Sequence, residues 1–178
     1  MILIQRDAVE RDLTDEIFKR FRDAGLKIVA TKEIVPTREQ AEQHYLATDE
    51  QIIGMANKTL RSMEEQGAPK EKIRELFGTE DMKKIGEQLL EWLREFIVGK
   101  KLIAAVLEGE DAIQRTRRLV GYTDPSKAER GTIRGDYADD SISKANSEKR
   151  KVRNLVHAAD SKEAVERETG IWFGTDFK

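Results

Sequence analysis

His157 is one of two histidines in this chain of 178 residues. It is the side chain best suited to chemistry near neutral pH. A neutral imidazole is a nucleophile that needs no strong activation. It lies in Arg153-Asn154-Leu155-Val156-His157-Ala158-Ala159-Asp160-Ser161. The pattern predicts a short apolar strand, Leu155-Val156, that carries the histidine to a break. A helix is expected just after, with Asp160 as its cap and Glu163 three positions on. A histidine at a strand end is held rigid and can face a cleft.

Gly131-Thr132-Ile133-Arg134-Gly135-Asp136 is the second signal. Two glycines bracket an arginine in what reads as a loop, so the backbone can turn tightly and approach a ligand. A guanidinium forks onto phosphate oxygens. Upstream, Arg115, Arg117 and Arg118 lie near the end of a helix that runs into Gly121-Tyr122-Thr123. Arg117, Thr123 and Arg134 together would make a cationic, hydrogen-bonding clamp. The segment 139–151 is polar and reads as a surface excursion. Its basic end, Lys149 to Arg153, could hold anions but reads first as a solvated face.

The elements that must position these residues follow from periodicity. Ile2-Leu3-Ile4 predicts a strand. Leu13, Ile17, Phe18 and Phe21 share a helix face that stops at Gly25. Residues 26–35 predict a second strand closed by Pro36. Thr37-Arg38-Glu39-Gln40 and Thr48-Asp49-Glu50-Gln51 are capping boxes that open helices. The first helix carries Ala41, His44 and Tyr45; the second ends near Gly67 and Pro69. A shorter helix (Ile73, Leu76, Phe77) and a longer one (Ile85, Leu89, Trp92, Leu93, Phe96) come next. Leu102 to Leu107 is continuously apolar, as a doubly covered strand would be. A helix over 110–119, a long polar loop, a last strand and a last helix from about Ser161 to Glu168 complete the order, with Trp172-Phe173 beyond it. Strand-helix-strand, helices, strand-helix-strand is an α+β plan: a ferredoxin-like split βαβ fold with a four-stranded antiparallel sheet and helices on one side.

Composition bounds the partners. One domain is expected, able to bury roughly 70% of its unfolded surface. Basic and acidic residues, 32 and 34, nearly cancel at a formal charge of −2, so nothing draws the whole chain to nucleic acid or membrane. The strands also lack the interleaved aromatics that stack bases. No apolar run approaches the ~20 residues of a membrane span, and the N-terminus is charged too early for a secretory signal. There is no cysteine, which removes disulfide and thiolate chemistry and fits a cytoplasmic location.

Four segments together resemble the nucleoside diphosphate kinase family. They are Leu3-Ile4-Gln5-Arg6-Asp7-Ala8-Val9-Glu10-Arg11, Gly121 to Ala128, Gly131 to Asp136, and Asn154-Leu155-Val156-His157 with Asp160-Ser161, Glu168 and Trp172-Phe173. Leu26 to Ala30 and Ala105 to Gly109 also fit. The match spans the chain except about 50–84 and 139–151, which look like insertions in a single domain 1–178. The resemblance implies a ping-pong phosphotransferase: His157 takes the γ-phosphate of a nucleoside triphosphate and passes it to a nucleoside diphosphate. It implies that Glu168 fixes the histidine tautomer and that Arg117, Thr123 and Arg134 bind phosphate. It places Asn154 near the ribose 3′-hydroxyl and Tyr45 beside the histidine. It implies Mg²⁺ bridging the phosphates, largely through water, with Asp160 as nearest helper, and a homo-oligomer, commonly a hexamer.

The chain departs from the family pattern at four places. The first-strand lysine, which donates to the γ-phosphate and the ribose 3′-oxygen, is Gln5, and the following proline is Arg6. As a neighbour on the same strand, Arg6 would point to the opposite face. The serine two places after the histidine is Ala159. The base-stacking phenylalanine has no evident counterpart; Leu89 or Leu90 falls nearest. These leave a second reading open beside the enzyme: a catalytically weak nucleotide-binding or scaffold protein.

Overall fold

Ile2, Leu3 and Ile4 have no solvent exposure at all, and the reason is their place in the middle of a sheet. The computed structural model describes residues 1–65, 67 and 69–177, apart from the side chains of Lys70 and Ile73. Its strands are β1 (Ile2–Ile4), β2 (Lys27–Ile34), β3 (Leu102–Glu108) and β4 (Val156–Ala158). They run in the order β2-β3-β1-β4, with every neighbouring pair antiparallel. Leu3 sits opposite Ala104 on one side and His157 on the other.

The helices among the described residues are α1 (Arg6–Val9), α2 (Thr14–Asp23), α3 (Arg38–His44), α4 (Asp49–Glu65), α5 (Lys70–Phe77), α6 (Met82–Ile97), α7 (Ala112–Val120), α8 (Ile133–Tyr137), α9 (Ile142–Ser147) and α10 (Lys162–Phe173). They cover both faces of the sheet, not one. Ile2, Ile4, Ala105, Leu107 and Val156 pack with Ile17, Phe18 and Phe21 of α2 and Val120 of α7. Leu3, Leu102 and Ala104 pack with Ala41 of α3, Phe96 and Ile97 of α6, and Ala164 and Trp172 of α10. Residues along β1 and β3 are apolar at consecutive positions, so each face needs its own cover. That continuity was visible in the sequence and argues against a one-sided sheet.

Other expectations shift at the ends of elements. Gln5 is the N-cap of α1 rather than a strand residue, so Arg6 already belongs to a helix and pairs with Glu10 at 3.7 Å. Both capping boxes form: Thr37 and Thr48 each exchange hydrogen bonds with the glutamine three residues on. The cap of α10 is Ser161, whose hydroxyl accepts from the Ala164 amide, not Asp160. Trp172 and Phe173 lie within that helix. Helices α4 to α6 build a separate apolar cluster of Ala56, Met63, Phe77 and Ile85, with Leu89 and Trp92 against it. α4 and α6 cross so closely that a Cβ on Gly86 would stand 2.1 Å from the Ile52 carbonyl oxygen. β2 is an edge strand with an irregularity between Ile28 and Ala30, and Val29 there is half-exposed.

Candidate active site

β4 aims His157 toward the face shared by α3 and α10, because its sheet partner Leu3 packs on that side. Its Nε2 lies 3.0 and 3.1 Å from the two carboxylate oxygens of Glu168 on α10. Glu168 is buried while the His157 ring is partly open. A buried carboxylate needs a donor, so Nε2 carries a proton, and in the neutral ring the lone pair then falls to Nδ1. Nδ1 has no hydrogen-bond partner among the described residues. The ring is wedged from behind by His44, whose centroid is 4.6 Å away edge-on, and by Tyr45 at 6.3 Å. Burial raises the Tyr45 phenol above its ordinary range, with the Glu168 charge adding to it. His44 is driven well below the ordinary histidine value, by burial first and then by the His157 and Arg167 charges.

The backbone that delivers His157 is unusual. Leu155 has φ +67, in the left-handed region, and is fully buried. Its amide donates to Asp7 Oδ2 at 3.0 Å and its carbonyl accepts from the Gln5 amide at 2.8 Å. The first turn of the chain thus pins the residue two before the histidine.

The Gly131–Asp136 segment is not a loop throughout. Thr132 caps α8, accepting from the Gly135 amide, and Arg134 lies inside that helix. A Cβ at Gly135 would sit 2.0 Å from the Glu129 carbonyl oxygen, and one at Gly121 (φ +88) would sit 2.4 Å from Thr132 Oγ1. These close approaches let Arg134 turn inward. Its Nε donates to the Asn154 carbonyl (3.1 Å), Nη1 to Gly121 (2.9 Å) and Nη2 to Val156 (2.7 Å). Among the described residues, one N–H on each terminal nitrogen stays uncommitted. Burial, with the Arg117 charge nearby, pushes this guanidinium down to about 10, against the opposing pull of Asp7. Arg117 and Thr123 are exposed at the rim. Asn154 Nδ2 donates to the Thr123 carbonyl at 3.0 Å, closing the arch over β4.

The basic run before His157 is not a solvated face. Asp140 holds Arg150 at 2.6 and 3.1 Å and the Arg153 amide at 2.8 Å. Between them Lys151 turns inward and is buried. Its Nζ donates to Gln5 Oε1 (2.7 Å), the Val152 carbonyl (2.8 Å) and Asn154 Oδ1 (3.0 Å). Sequence reasoning missed Lys151, His44 and Asp7. The available signal for Lys151 was the lost charge at Gln5, which demands a search for another cation near Asn154.

The remaining expected residues are split. Asp160 lies exposed three positions past His157, and its carboxylate makes no ion pair among the described residues. Leu89 packs on the α4–α6 cluster, away from the residues gathered about His157. The His44, His157 and Glu168 ligand atoms lie within 4.8 Å of one another. Two nitrogens and one carboxylate do not suit Mg²⁺, which prefers oxygen ligands and water.

The site thus joins a histidine whose Nε2 is braced on Glu168 to an inward-turned guanidinium bound to the backbone of Asn154 and of Val156, the latter on the strand that carries the histidine. Comparison with known proteins gives the family. The family model described as nucleoside diphosphate kinase matches residues 1–60 and 51–177. A nucleoside diphosphate kinase of Pyrobaculum aerophilum is 40% identical over 174 residues, covering 97% of this chain and 93% of that protein. Its counterpart from Methanocaldococcus jannaschii is 33% identical, covering 98% and 92%. The crystal structure of an NDP kinase from P. aerophilum superposes with a TM-score of 0.90, over 97% of this chain and 93% of that one. A Borrelia burgdorferi nucleoside-diphosphate kinase, described as a transition state mimic with bound vanadate and ADP, superposes with a TM-score of 0.74 at 27% identity, over 99% and 84%. The chain belongs to the nucleoside diphosphate kinase family.

Proposed function

We propose that this chain moves the γ-phosphate of a nucleoside triphosphate to a nucleoside diphosphate in two half-reactions, with His157 as carrier. The observation that carries this is the double contact between Nε2 and Glu168, which leaves Nδ1 as the attacking atom. In the first half-reaction the Nδ1 lone pair forms the N–P bond. The bond from phosphorus to the β,γ-bridging oxygen breaks, and the nucleoside diphosphate leaves with that electron pair. Nε2 keeps its proton, so the phosphorylated ring is cationic and faces the buried Glu168 carboxylate. The second half-reaction is the reverse, with a different diphosphate as acceptor.

Arg117, Thr123 and the two uncommitted N–H groups of Arg134 bind the phosphates. Asn154 and Gln5 offer amide N–H groups to the sugar and the transferring group, and Tyr45 packs the ring. Mg²⁺ fits as an ion carried in on the phosphates with Asp160 beside it, because Asp160 offers a free carboxylate and no oxygen cage is present among the described residues. When bound, the ion neutralises phosphate charge. Leu89, the residue expected over the base, packs instead on the α4–α6 cluster, so the base is left without a stacking side chain from this position.

The reading of the chain as a non-turning nucleotide binder rested on the missing charge at residue 5. A buried ammonium 2.7 Å from Gln5 removes that ground. No helix is long and apolar enough to cross a membrane among the described residues, which agrees with a cytoplasmic enzyme. A homo-oligomer, a hexamer by family, would cover the edge strand β2 with its exposed Val29 and Val35.

Incubation with γ-labelled nucleoside triphosphate tests the reading. An acid-labile, base-stable label that a diphosphate discharges, and that His157→Asn abolishes, is expected. Tight nucleotide binding without label on the unaltered chain would overturn it.

A further inference from the structure

Lys151 is a buried charge without a salt bridge. Its three ammonium hydrogens go to neutral oxygens, on Gln5, Val152 and Asn154, and its Nζ lies 4.6 Å from the centre of the Phe96 ring. No carboxylate lies within ion-pair distance of it among the described residues. Asp7 and Asp140 favour its charge from farther off, while Arg134 and Arg150 oppose it. Removing an ammonium from water is costly, and neutral oxygens and one aromatic face offset that cost only in part. A cation held in that state against the side chain of Asn154, three residues before His157, has an anion still to come.

We propose that Lys151 is the positioning cation of the phosphoryl-transfer site, holding the Gln5 and Asn154 amides oxygen-inward so that their N–H groups face the nucleotide. The proposal rests on the phosphotransfer reading above. A charged lysine can only donate and never accept, so it fixes which end of each amide it meets. Gln5 Oε1 is taken, and Gln5 Nε2, which has no partner among the described residues, is left to point away from the ammonium. Asn154 spends one N–H on the Thr123 carbonyl and keeps the other. A cation on the amide oxygen also polarises the amide and strengthens its N–H donors. Charge lost from residue 5 is thus supplied from 146 positions later in the chain and transmitted through the Gln5 side chain. Asp140 fixes the segment that delivers it, through Arg150 and the Arg153 amide.

Burial pushes Lys151 down to about 7 in the nucleotide-free chain, with Asp7 resisting that shift. A bound polyphosphate favours the charged form. Binding above neutral pH therefore takes up a proton. The specificity constant kcat/KM, which reports the free enzyme, falls as pH rises past ~7, while kcat is held flatter.

The test is the pH profile of kcat and kcat/KM for the unaltered chain, Lys151→Met, and the exchange Gln5→Lys with Lys151→Gln. Proton uptake on ADP binding is measured by calorimetry in buffers of different ionisation enthalpy. Lys151→Met should lose on the order of 10²-fold in kcat and lose the alkaline limb of kcat/KM. The exchange should regain roughly tenfold or more over Lys151→Met, because it returns a cation to the pair. The unaltered chain should take up about half a proton or more at pH 8 and little at pH 6. A Lys151→Met enzyme within about threefold of the parent and keeping its alkaline limb overturns the proposal. So does the absence of proton uptake by the unaltered chain, a result that stands even where a variant fails to fold. Label on His157 of the unaltered chain is read separately, so loss of the carrier role and loss of the Lys151 role are distinguishable.

Discussion

Glu168 meets the Nε2 of His157 with both carboxylate oxygens, at 3.0 and 3.1 Å, across eleven positions of sequence. The pair joins β4 to α10, so the orientation of the His157 ring is set by helix packing and not by the strand alone. Glu168→Gln keeps an acceptor of the same shape and removes the charge opposite the phosphorylated ring. We expect kcat to fall by roughly 10–100-fold with little change in KM, since the charge matters most after phosphoryl transfer. Steady-state kinetics with two nucleotide pairs reads this directly. A matching rise in KM instead would assign Glu168 to substrate binding.

Gln5→Lys is a restoration by sequence logic and a disruption by structure. The new ammonium would approach Lys151, whose Nζ is now 2.7 Å from Gln5 Oε1. Two adjacent buried cations repel. The single substitution is expected to reduce kcat/KM by tenfold or more (~1.4 kcal/mol per tenfold) and to lower Tm. A single variant faster than the parent would show that the space beside Lys151 admits a second charge.

Gly121 and Gly135 shape the arch that carries Arg134. Gly121→Ala places a Cβ 2.4 Å from Thr132 Oγ1 at a backbone φ of +88. The expected loss is about 1–3 kcal/mol of stability, together with weaker nucleotide binding because the Gly121 carbonyl that holds Arg134 must move. Denaturant unfolding and an ADP titration measure the two effects. Unchanged ADP affinity in a destabilised variant would separate the arch from phosphate binding.

Ser161 and Asp160 divide two roles that the sequence merged. Ser161 accepts from the Ala164 amide and caps α10, so Ser161→Ala should lower stability by about 1 kcal/mol, or roughly 2–4 °C in Tm. Asp160→Ala should leave Tm unchanged and raise the Mg²⁺ concentration needed for half-maximal rate. Thermal melts beside a magnesium titration distinguish them. Equal loss of Tm in both variants would return the cap to Asp160.

The strands, both capping boxes and the His157–Glu168 pair were legible because each is written in local pattern or in a family motif. What was illegible depends on contacts between distant segments. Lys151 reads as one more charge in a basic run, and only Asp140, eleven positions earlier, turns that run inward by fastening Arg150 and Arg153. Leu155 looks like an ordinary strand residue; its left-handed backbone comes from Asp7 and Gln5 clasping its amide and carbonyl. The helix at Ile133–Tyr137 hid behind Gly131 and Gly135: Gly135 serves close approach, while Gly131 supplies a left-handed turn at φ +89 just before the helix.

His44 supplies a stability prediction with a definite sign. Its ring is buried behind His157, and among the described residues neither of its nitrogens has a partner. Burial, and then the charges of His157 and Arg167, hold it well below the ordinary histidine value. In the unfolded chain it takes a proton near pH 6.5, whereas in the folded chain it stays neutral to much lower pH. The unfolded state therefore binds more protons below ~6.5, and stability falls as pH falls, by about 1.4 kcal/mol per unit for this one group. The contribution is fully present above the unfolded value and erodes on acidification. His44→Phe keeps an apolar ring of similar size and removes the titration. The difference between the two proteins in urea-unfolding free energy should thus be constant above pH 7 and should shift in favour of His44→Phe on descending from pH 6.5 to 5. A difference that stays flat across that window would mean that His44 is protonated in the fold.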